Sequence, residues 1–140
     1  MAEEVKASLK ALRVLVMEDN ALIAMLYVDL LTQMGHTVCA IEATETEAVA
    51  AARIYKPDLM IVDAALGEGT GVSAVEEILR GRFVPHVFVS GDTALVRALT
   101  SSAIVLQKPF RDLDLARAIQ NALTTAPNRP IRPGREMYRV

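Results

Sequence analysis

The chain has 140 residues, 52% of them hydrophobic and 23% charged, which is the composition of a domain with a buried core and excludes a disordered chain. The formal net charge of −2 argues against nucleic-acid binding as the main activity. No apolar run approaches the about 18 residues that a bilayer span requires, and the acidic start does not resemble a secretory signal. A single cysteine excludes an internal disulfide and a cysteine-based zinc site. We therefore expect one cytoplasmic domain.

Strands and helices alternate along the chain. Five short apolar runs predict strands that are buried on both faces, at 13–17, 36–41, 59–62, 84–89 and 103–106. A period close to 3.6 residues predicts helices at 20–34, 44–55, 71–80, 93–100 and 112–123. Such alternation predicts an α/β fold with a parallel sheet and right-handed crossovers.

The number of units narrows the choice of fold. Five β-α units within about 115 residues are the size of a flavodoxin-like, doubly wound domain. We therefore predict a five-stranded parallel sheet of strand order 2-1-3-4-5 with helices on both faces. A Rossmann half-unit with another strand order is the rival, and periodicity alone does not exclude it.

Polar residues follow four of the predicted strands, where each strand ends. Glu18 and Asp19 follow the first strand, Asp63 the third, Ser90 the fourth and Lys108 the fifth. In the predicted order the first and third strands are neighbours, and ligands of open α/β sheets bind beyond the carboxyl ends at this switch point. We therefore expect one site that combines three carboxylates, a hydroxyl and a lysine.

The three carboxylates indicate a cation. Carboxylates in one small pocket repel one another unless a cation or a proton intervenes. Mg²⁺ takes oxygen ligands, accepts one or two carboxylates and leaves positions for water and phosphate oxygens, so we predict Mg²⁺, with Mn²⁺ as a substitute. The plainer interpretation, in which Glu18 and Asp19 only favour the start of a helix, leaves Asp63 and Lys108 unexplained.

These residues together resemble a known family. Four motifs in order are similar to the receiver domain of two-component response regulators: Glu18-Asp19, Asp63, Ser90-Gly91 and Lys108-Pro109-Phe110. The resemblance predicts a receiver domain at 11–124, after an N-terminal extension at 1–10. It leaves 125–140 as a flexible basic tail with four arginines and one glutamate.

The resemblance implies a function for each of these residues. Asp63 would accept a phosphoryl group from a phosphohistidine on a histidine kinase or a histidine phosphotransfer protein. The implied Mg²⁺ ligands are Glu18, Asp19, Asp63 and the backbone carbonyl of Ala65, and the implied phosphoryl contacts are Ser90 and Lys108. We expect a regulator rather than an enzyme, with slow self-dephosphorylation, a downstream protein target, and neither direct DNA binding nor membrane contact.

The sequence departs from the family pattern at several positions. Val105 stands where many receivers have an aromatic switch residue, and Gly67 replaces a common proline, which predicts a looser turn after Asp63. Ser90 and Lys108 are only 18 positions apart, which predicts a short fourth helix. The sequence Phe88-Val-Ser-Gly91 resembles the Phe-Ala-Thr-Gly signature of a receiver subset that lacks the switch aromatic.

Other functions remain as alternatives. A degenerate receiver could serve as a phosphorylation-independent interaction module. Gly67, Gly69 and Gly71 do not have the spacing of a dinucleotide loop and follow the wrong strand. An autonomous hydrolase receives little support, because Ala65 cannot orient a water molecule and the role of Asp92 is open.

The first predicted helix indicates a contact surface. We expect one face to pack on the sheet, which leaves Leu22 and Met25 exposed as a contact surface; the inward residues are Ile23, Leu26, Tyr27, Leu30 and Met34. The resemblance to receiver domains implies that a kinase helix bundle docks on this surface. His36 and His86 are predicted at the opposite ends of the strands, away from the carboxylates. Cys39 is predicted to be a small buried apolar residue.

Overall fold

The computed structural model describes residues 10–100 and 102–125. Its elements alternate strictly, in the order β1 (Arg13–Met17), α1 (Ala21–Gln33), β2 (Thr37–Glu42), α2 (Glu45–Tyr55), β3 (Leu59–Asp63), α3 (Gly71–Gly81), β4 (His86–Ser90), α4 (Thr93–Leu99), β5 (Val105–Gln107) and α5 (Asp112–Thr124). The extension predicted at 1–10 and the tail predicted at 125–140 lie outside the described residues, except for Lys10 and Thr125.

The five strands form one parallel sheet of order β2-β1-β3-β4-β5. β3 is central and buried along its whole length, and its last residue, Asp63, pairs with Val89 of β4. The predicted strand order is therefore confirmed, and the rival Rossmann half-unit is wrong. Among the described helices, none has both the length and the apolar character that a bilayer crossing requires.

Alternate residues along each strand face opposite sides of the sheet, as the pleat of a strand requires. Met60, Val62 and Phe88 belong to a core shared with α2, α3 and α4. Ile61 and Val89 belong to a second core shared with α1 and α5. Helices therefore cover both faces, and the short, uninterrupted apolar runs of the sequence reflect strands that are buried on both sides.

Side chains fix the starts of the helices beside the carboxyl edge. The Asn20 carboxamide accepts hydrogen bonds from the N–H groups of Leu22 and Ile23 at 3.0 and 3.1 Å. The hydroxyls of Thr44 and Thr70 cap α2 and α3 in the same manner. Such caps satisfy N–H groups that have no partner within the helix, and they fix where the loops at the carboxyl edge end.

The buried face of α1 differs from the prediction. Ala24, Tyr27 and Leu31 are the buried residues of this helix, whereas Leu26, predicted to face the sheet, is 59% exposed. Apolar residues surround most of α1, so their spacing defines no single stripe. Cys39 is half-buried rather than buried.

The elements β4, α4 and β5 are shorter than predicted. α4 has seven residues and β5 has three, so the predicted short fourth helix is confirmed. β4 begins at His86 rather than at residue 84, because Pro85 has no N–H to contribute to the sheet. A cavity of about 440 Å³, lined in part by Leu79, His86 and Thr100, lies beside the connection between α4 and β5.

Candidate functional site

Three carboxylates converge at the carboxyl edge of the sheet, as predicted. Glu18 and Asp19 follow β1, and Asp63 ends the neighbouring strand β3. One oxygen of each of the three carboxylates lies within 4.8 Å of those of the other two. Asp19 is exposed to solvent, whereas Glu18 and Asp63 are 3% and 7% exposed. The cluster therefore has two buried carboxylates and one at the surface.

Asp63 is held in a defined orientation. Its Oδ1 accepts a hydrogen bond from the backbone N–H of Ala65 at 3.0 Å, and its Oδ2 lies 3.5 Å from the Nζ of Lys108. Lys108 follows β5 and is about one-third exposed. The two oxygens of Asp63 are thus distinguished, one by a backbone donor and one by a cationic side chain.

Glu18 is the most buried member of the cluster. Its Oε2 accepts from the N–H of Asn20 at 3.0 Å, but its Oε1 is buried without a hydrogen-bond partner among the described residues. Burial raises the pKa of Glu18 to about 7, and the nearby charge of Asp63 adds to the effect. A buried polar atom without a partner requires an explanation, such as a cation held between the carboxylates.

A hard divalent cation fits these residues. The donors are all carboxylate oxygens, one of them is buried without a partner, and their separation allows a single ion to contact all three. Oxygen ligands of this kind suit Mg²⁺, and a bound cation would offset the unfavourable burial of negative charge on Glu18. Glu18, Asp19 and Asp63 are therefore the residues that could hold the metal.

Ser90 lies on the strand next to Asp63, one residue beyond the position that pairs with it. Its Oγ accepts a hydrogen bond from the N–H of Asp92 at 2.9 Å, so its own proton can still be donated to a ligand. The carboxylate of Asp92 accepts from the N–H of Leu95 at 3.1 Å and caps α4. A Cβ built on Gly91 would meet no atom within 4 Å, so this edge of the site has open space.

The loop between β3 and α3 is held by a residue that the sequence analysis did not select. The carboxylate of Glu45, at the start of α2, accepts from the N–H of Thr70 and from the hydroxyl of Ser73. Glu45 lies 25 positions from Thr70 in the chain, and no local motif indicates this contact. The turn that contains Gly67 and Gly69 is therefore held by hydrogen bonds to Glu45, although the sequence predicted a looser turn.

Both histidines lie away from the carboxylates. His36 precedes β2 and accepts from the N–H of Leu12 at 3.1 Å, while His86 begins β4 and packs between Phe83 and Phe88. Burial lowers the pKa of both imidazoles. These positions are at the amino ends of the strands, so neither histidine belongs to the site.

The fold and the site define a class of protein. A parallel sheet of order 2-1-3-4-5, with an acidic cluster, a hydroxyl and a lysine at its carboxyl edge, is the architecture of a signalling receiver. The family model described as "Response regulator receiver domain" matches residues 14–120. The chain belongs to the response regulator receiver domain family.

Known proteins are similar over most of the chain. The transcriptional regulatory protein PdtaR of Mycobacterium tuberculosis is 34% identical over 116 residues, which cover 80% of this chain and 57% of PdtaR. The phyllosphere-induced regulator PhyR of Methylorubrum extorquens is 32% identical over 117 residues, which cover 81% of this chain and 44% of PhyR. This chain thus spans about half the length of these relatives.

A solved structure supports the same assignment. The receiver domain of PhyR from Erythrobacter litoralis, solved by NMR in solution, has a TM-score of 0.75 and 32% sequence identity to this chain. The similarity covers 86% of this chain and 95% of that domain.

Proposed function

We propose that this chain is a phosphoryl-accepting response regulator in two-component signalling, with Asp63 as the acceptor and Mg²⁺ as the cofactor. The observation that carries the proposal is the convergence of Glu18, Asp19 and Lys108 on Asp63. Phosphoryl transfer demands mainly positioning and charge neutralisation from a protein, and these groups supply both.

The transfer would form one bond and break one. A carboxylate oxygen of Asp63 attacks the phosphorus atom of a phosphohistidine in line with the P–N bond. The new P–O bond makes an acyl phosphate, and the imidazole leaves with the electron pair of the broken bond. Mg²⁺, when bound, would add positive charge next to the phosphoryl oxygens. Its ligands are proposed to be Glu18, Asp19, Asp63 and the carbonyl of Ala65.

Lys108 and Ser90 would recognise the phosphoryl group once it is attached. The ammonium group of Lys108 already lies near Oδ2 of Asp63, and a flexible lysine can follow a new anion as a point charge. Ser90 would donate its hydroxyl proton to the same group. A state that holds both contacts would be favoured by phosphorylation, which is a shift of populations. The positions of both residues beside Asp63 support this assignment.

A labelling experiment tests the proposal. The full chain is incubated with Mg²⁺ and a small phosphodonor such as acetyl phosphate, and its intact mass is measured. We expect the mass of one phosphoryl group to be added in the wild type and in the control Asp29→Asn, which changes an exposed acid on α1. Asp63→Asn, and wild type with a chelator, should add none.

The alternative is a degenerate receiver that acts as a phosphorylation-independent interaction module. A wild-type chain that stays unmodified under conditions that label another receiver would favour this module. Oε1 of Glu18 is buried and has no hydrogen-bond partner among the described residues. This supports the phosphoacceptor, because a cation bound between the carboxylates would supply the missing partner.

The exposed face of α1 is the proposed contact for the phosphodonor. Leu22, Met25 and Leu26 are 78%, 54% and 59% exposed on consecutive turns of the helix that follows the acidic pair. Adjacent exposed apolar side chains indicate a protein contact. Replacing Leu22 and Met25 together by Ser should slow transfer from a phosphorylated histidine protein but leave labelling by the small phosphodonor unchanged. Ile54→Ser, on α2 across the sheet, is the matched control.

Several wider properties belong to the same proposal. We place the receiver at 11–124, in the cytoplasm, without direct contact with DNA or a membrane, and as a regulator with slow self-dephosphorylation. One similar protein of solved structure, PhyR of Bartonella quintana, is described as an anti-anti-sigma factor, which supports a downstream protein target. A pull-down with phosphorylated and unmodified chain would identify such a target, and equal capture by both forms would contradict control by phosphorylation.

A further inference from the structure

The loop at 64–70, between β3 and α3, is fastened to the first turn of α2 through Glu45. Oε1 of Glu45 accepts a hydrogen bond from the N–H of Thr70 at 3.2 Å, and Oε2 accepts from the hydroxyl of Ser73 at 2.6 Å. The N–H of Glu45 donates to the carbonyl of Glu68 at 3.0 Å. Glu45 thus holds the end of the loop at two points, Glu68 and Thr70, and the first turn of α3 at a third, Ser73.

Glycines let the loop approach Glu45 on one side and Asp19 on the other. Gly69 has φ of +80°, and a Cβ built there would overlap the side chain of Glu45. A Cβ on Gly67 would lie 3.2 Å from Oδ2 of Asp19 and 3.6 Å from the carbonyl of Ala43. The loop is therefore confined between the start of α2 and one of the clustered carboxylates.

The other end of the loop is continuous with the phosphoacceptor. Ala65 donates its N–H to Oδ1 of Asp63, and Gly71 donates its N–H to the carbonyl of Ala64 at 3.0 Å. The loop has only seven residues between β3 and α3, and it contacts Asp63 near one end and Glu45 at the other. We therefore expect a displacement of its far end to reach the Asp63 side chain.

We propose that Glu45 is a positioning residue for the acidic site: it fixes the 64–70 loop so that Asp63, Asp19 and the Ala65 carbonyl are prearranged for a divalent cation. The inference rests on the proposed function, because it concerns the same site. Glu45 is not one of the clustered carboxylates, so its effect would pass through the loop.

The test compares four forms of the full, unphosphorylated chain: wild type, Glu45→Ala, Glu45→Gln and Glu47→Ala. Glu47→Ala is the matched control, since it removes an exposed carboxylate from the same helical turn. Within the part of the chain that the structure describes, the carboxylate of Glu47 makes no hydrogen bond, and its backbone N–H donates to the Thr44 hydroxyl. Mg²⁺ affinity is measured by calorimetric titration, amide exchange in 64–71 by NMR, and thermal stability in a chelator.

We expect Glu45→Ala to weaken Mg²⁺ binding about tenfold relative to Glu47→Ala, which is the size of effect that supporting residues have on metal sites. The amides of Thr70 and Ala65 should exchange faster in Glu45→Ala alone. Glu45→Gln should bind Mg²⁺ about as well as Glu47→Ala, because its amide oxygen still accepts from Thr70 and its NH₂ group can donate to the Ser73 hydroxyl.

Three results would overturn the proposal. Equal Mg²⁺ affinities of Glu45→Ala and Glu47→Ala would mean that the loss of one negative charge accounts for the whole effect. A Glu45→Gln variant that binds Mg²⁺ as weakly as Glu45→Ala would mean that the hydrogen bonds of Glu45 do not matter. A loss of thermal stability in Glu45→Ala with unchanged Mg²⁺ affinity would leave Glu45 a purely structural residue. Absence of Mg²⁺ binding by the wild type would overturn the proposed function itself, and that result differs from all three.

Discussion

Replacing Gly71 by alanine should distort the site from its backbone side, while the same substitution at Gly81 should not. Gly71 is the first residue of α3 and Gly81 the last. A Cβ on Gly71 would overlap the carbonyl oxygen of Asp63 and lie 2.6 Å from Cγ1 of Val62. A Cβ on Gly81 would meet no atom of the described residues within 4 Å outside its own stretch of helix.

The structure sets the size of the difference. Exchanging Gly for Ala within a helix stabilises a protein by about 0.5–1 kcal/mol where the new methyl group fits. Overpacking costs about 1–3 kcal/mol, and the backbone of Asp63 cannot yield easily because β3 is buried along its length. We therefore expect Gly71→Ala to lower the free energy of unfolding by about 2 kcal/mol.

Urea unfolding in the presence of a chelator measures the free energy of unfolding of both variants without bound metal. With an m value of about 2 kcal/mol/M, the midpoint of Gly71→Ala should fall by about 1 M, while that of Gly81→Ala should stay level or rise slightly. Gly71→Ala should also bind Mg²⁺ more weakly, since the displaced backbone carries Asp63. Equal midpoints for the two variants would refute the reasoning, because it depends entirely on the contact with the Asp63 carbonyl.

Three further predictions concern the rest of the fold. Burial lowers the pKa of His86 below its usual 6.5, so its contribution to stability is complete above pH 6.5 and is lost as the pH falls through the lowered pKa. The urea midpoints at pH 7.5 and pH 5.5 should therefore differ less in His86→Gln than in the wild type. An equal difference in the two proteins would contradict this. Leu115→Ala, at a fully buried position of α5, should lower the free energy of unfolding by about 2–5 kcal/mol. Leu113→Ala, on the same helix but 52% exposed, should change it by less than about 0.5 kcal/mol, and similar losses would refute the assigned core. Asn20→Ala should cost about 1 kcal/mol in the same assay because α1 loses its cap, and an unchanged midpoint would show that the cap is dispensable.

The sequence predicted the sheet well because its signal is strong and local. Each strand is a short apolar run bounded by polar or turn residues, and parallel pairing buries both faces. The site followed from the same reasoning, since residues after neighbouring strands must meet at one edge; Glu18, Asp19, Asp63 and Lys108 do so.

The remaining features depend on contacts that a local pattern does not encode. The predicted face of α1 is wrong at Leu26 because apolar residues occur around most of the helix, and only packing against β1 and β2 decides which of them is buried. Glu45 escaped notice because an acid in a first helical turn is common for reasons of the helix dipole alone. Its hydrogen bonds to Thr70 and Ser73 join segments that are distant in sequence.

The brevity of α4 and β5 has a consequence for how the receiver could report its state. Ser90 and Lys108 lie immediately before and after the segment 91–107, which contains these two short elements and borders the cavity beside α4. The sheet already joins the two ends of the segment, because the N–H of Lys108 donates to the carbonyl of Ser90 at 2.9 Å. An anion bound by both side chains would add a second link at the same place and restrict the motion of the segment between them.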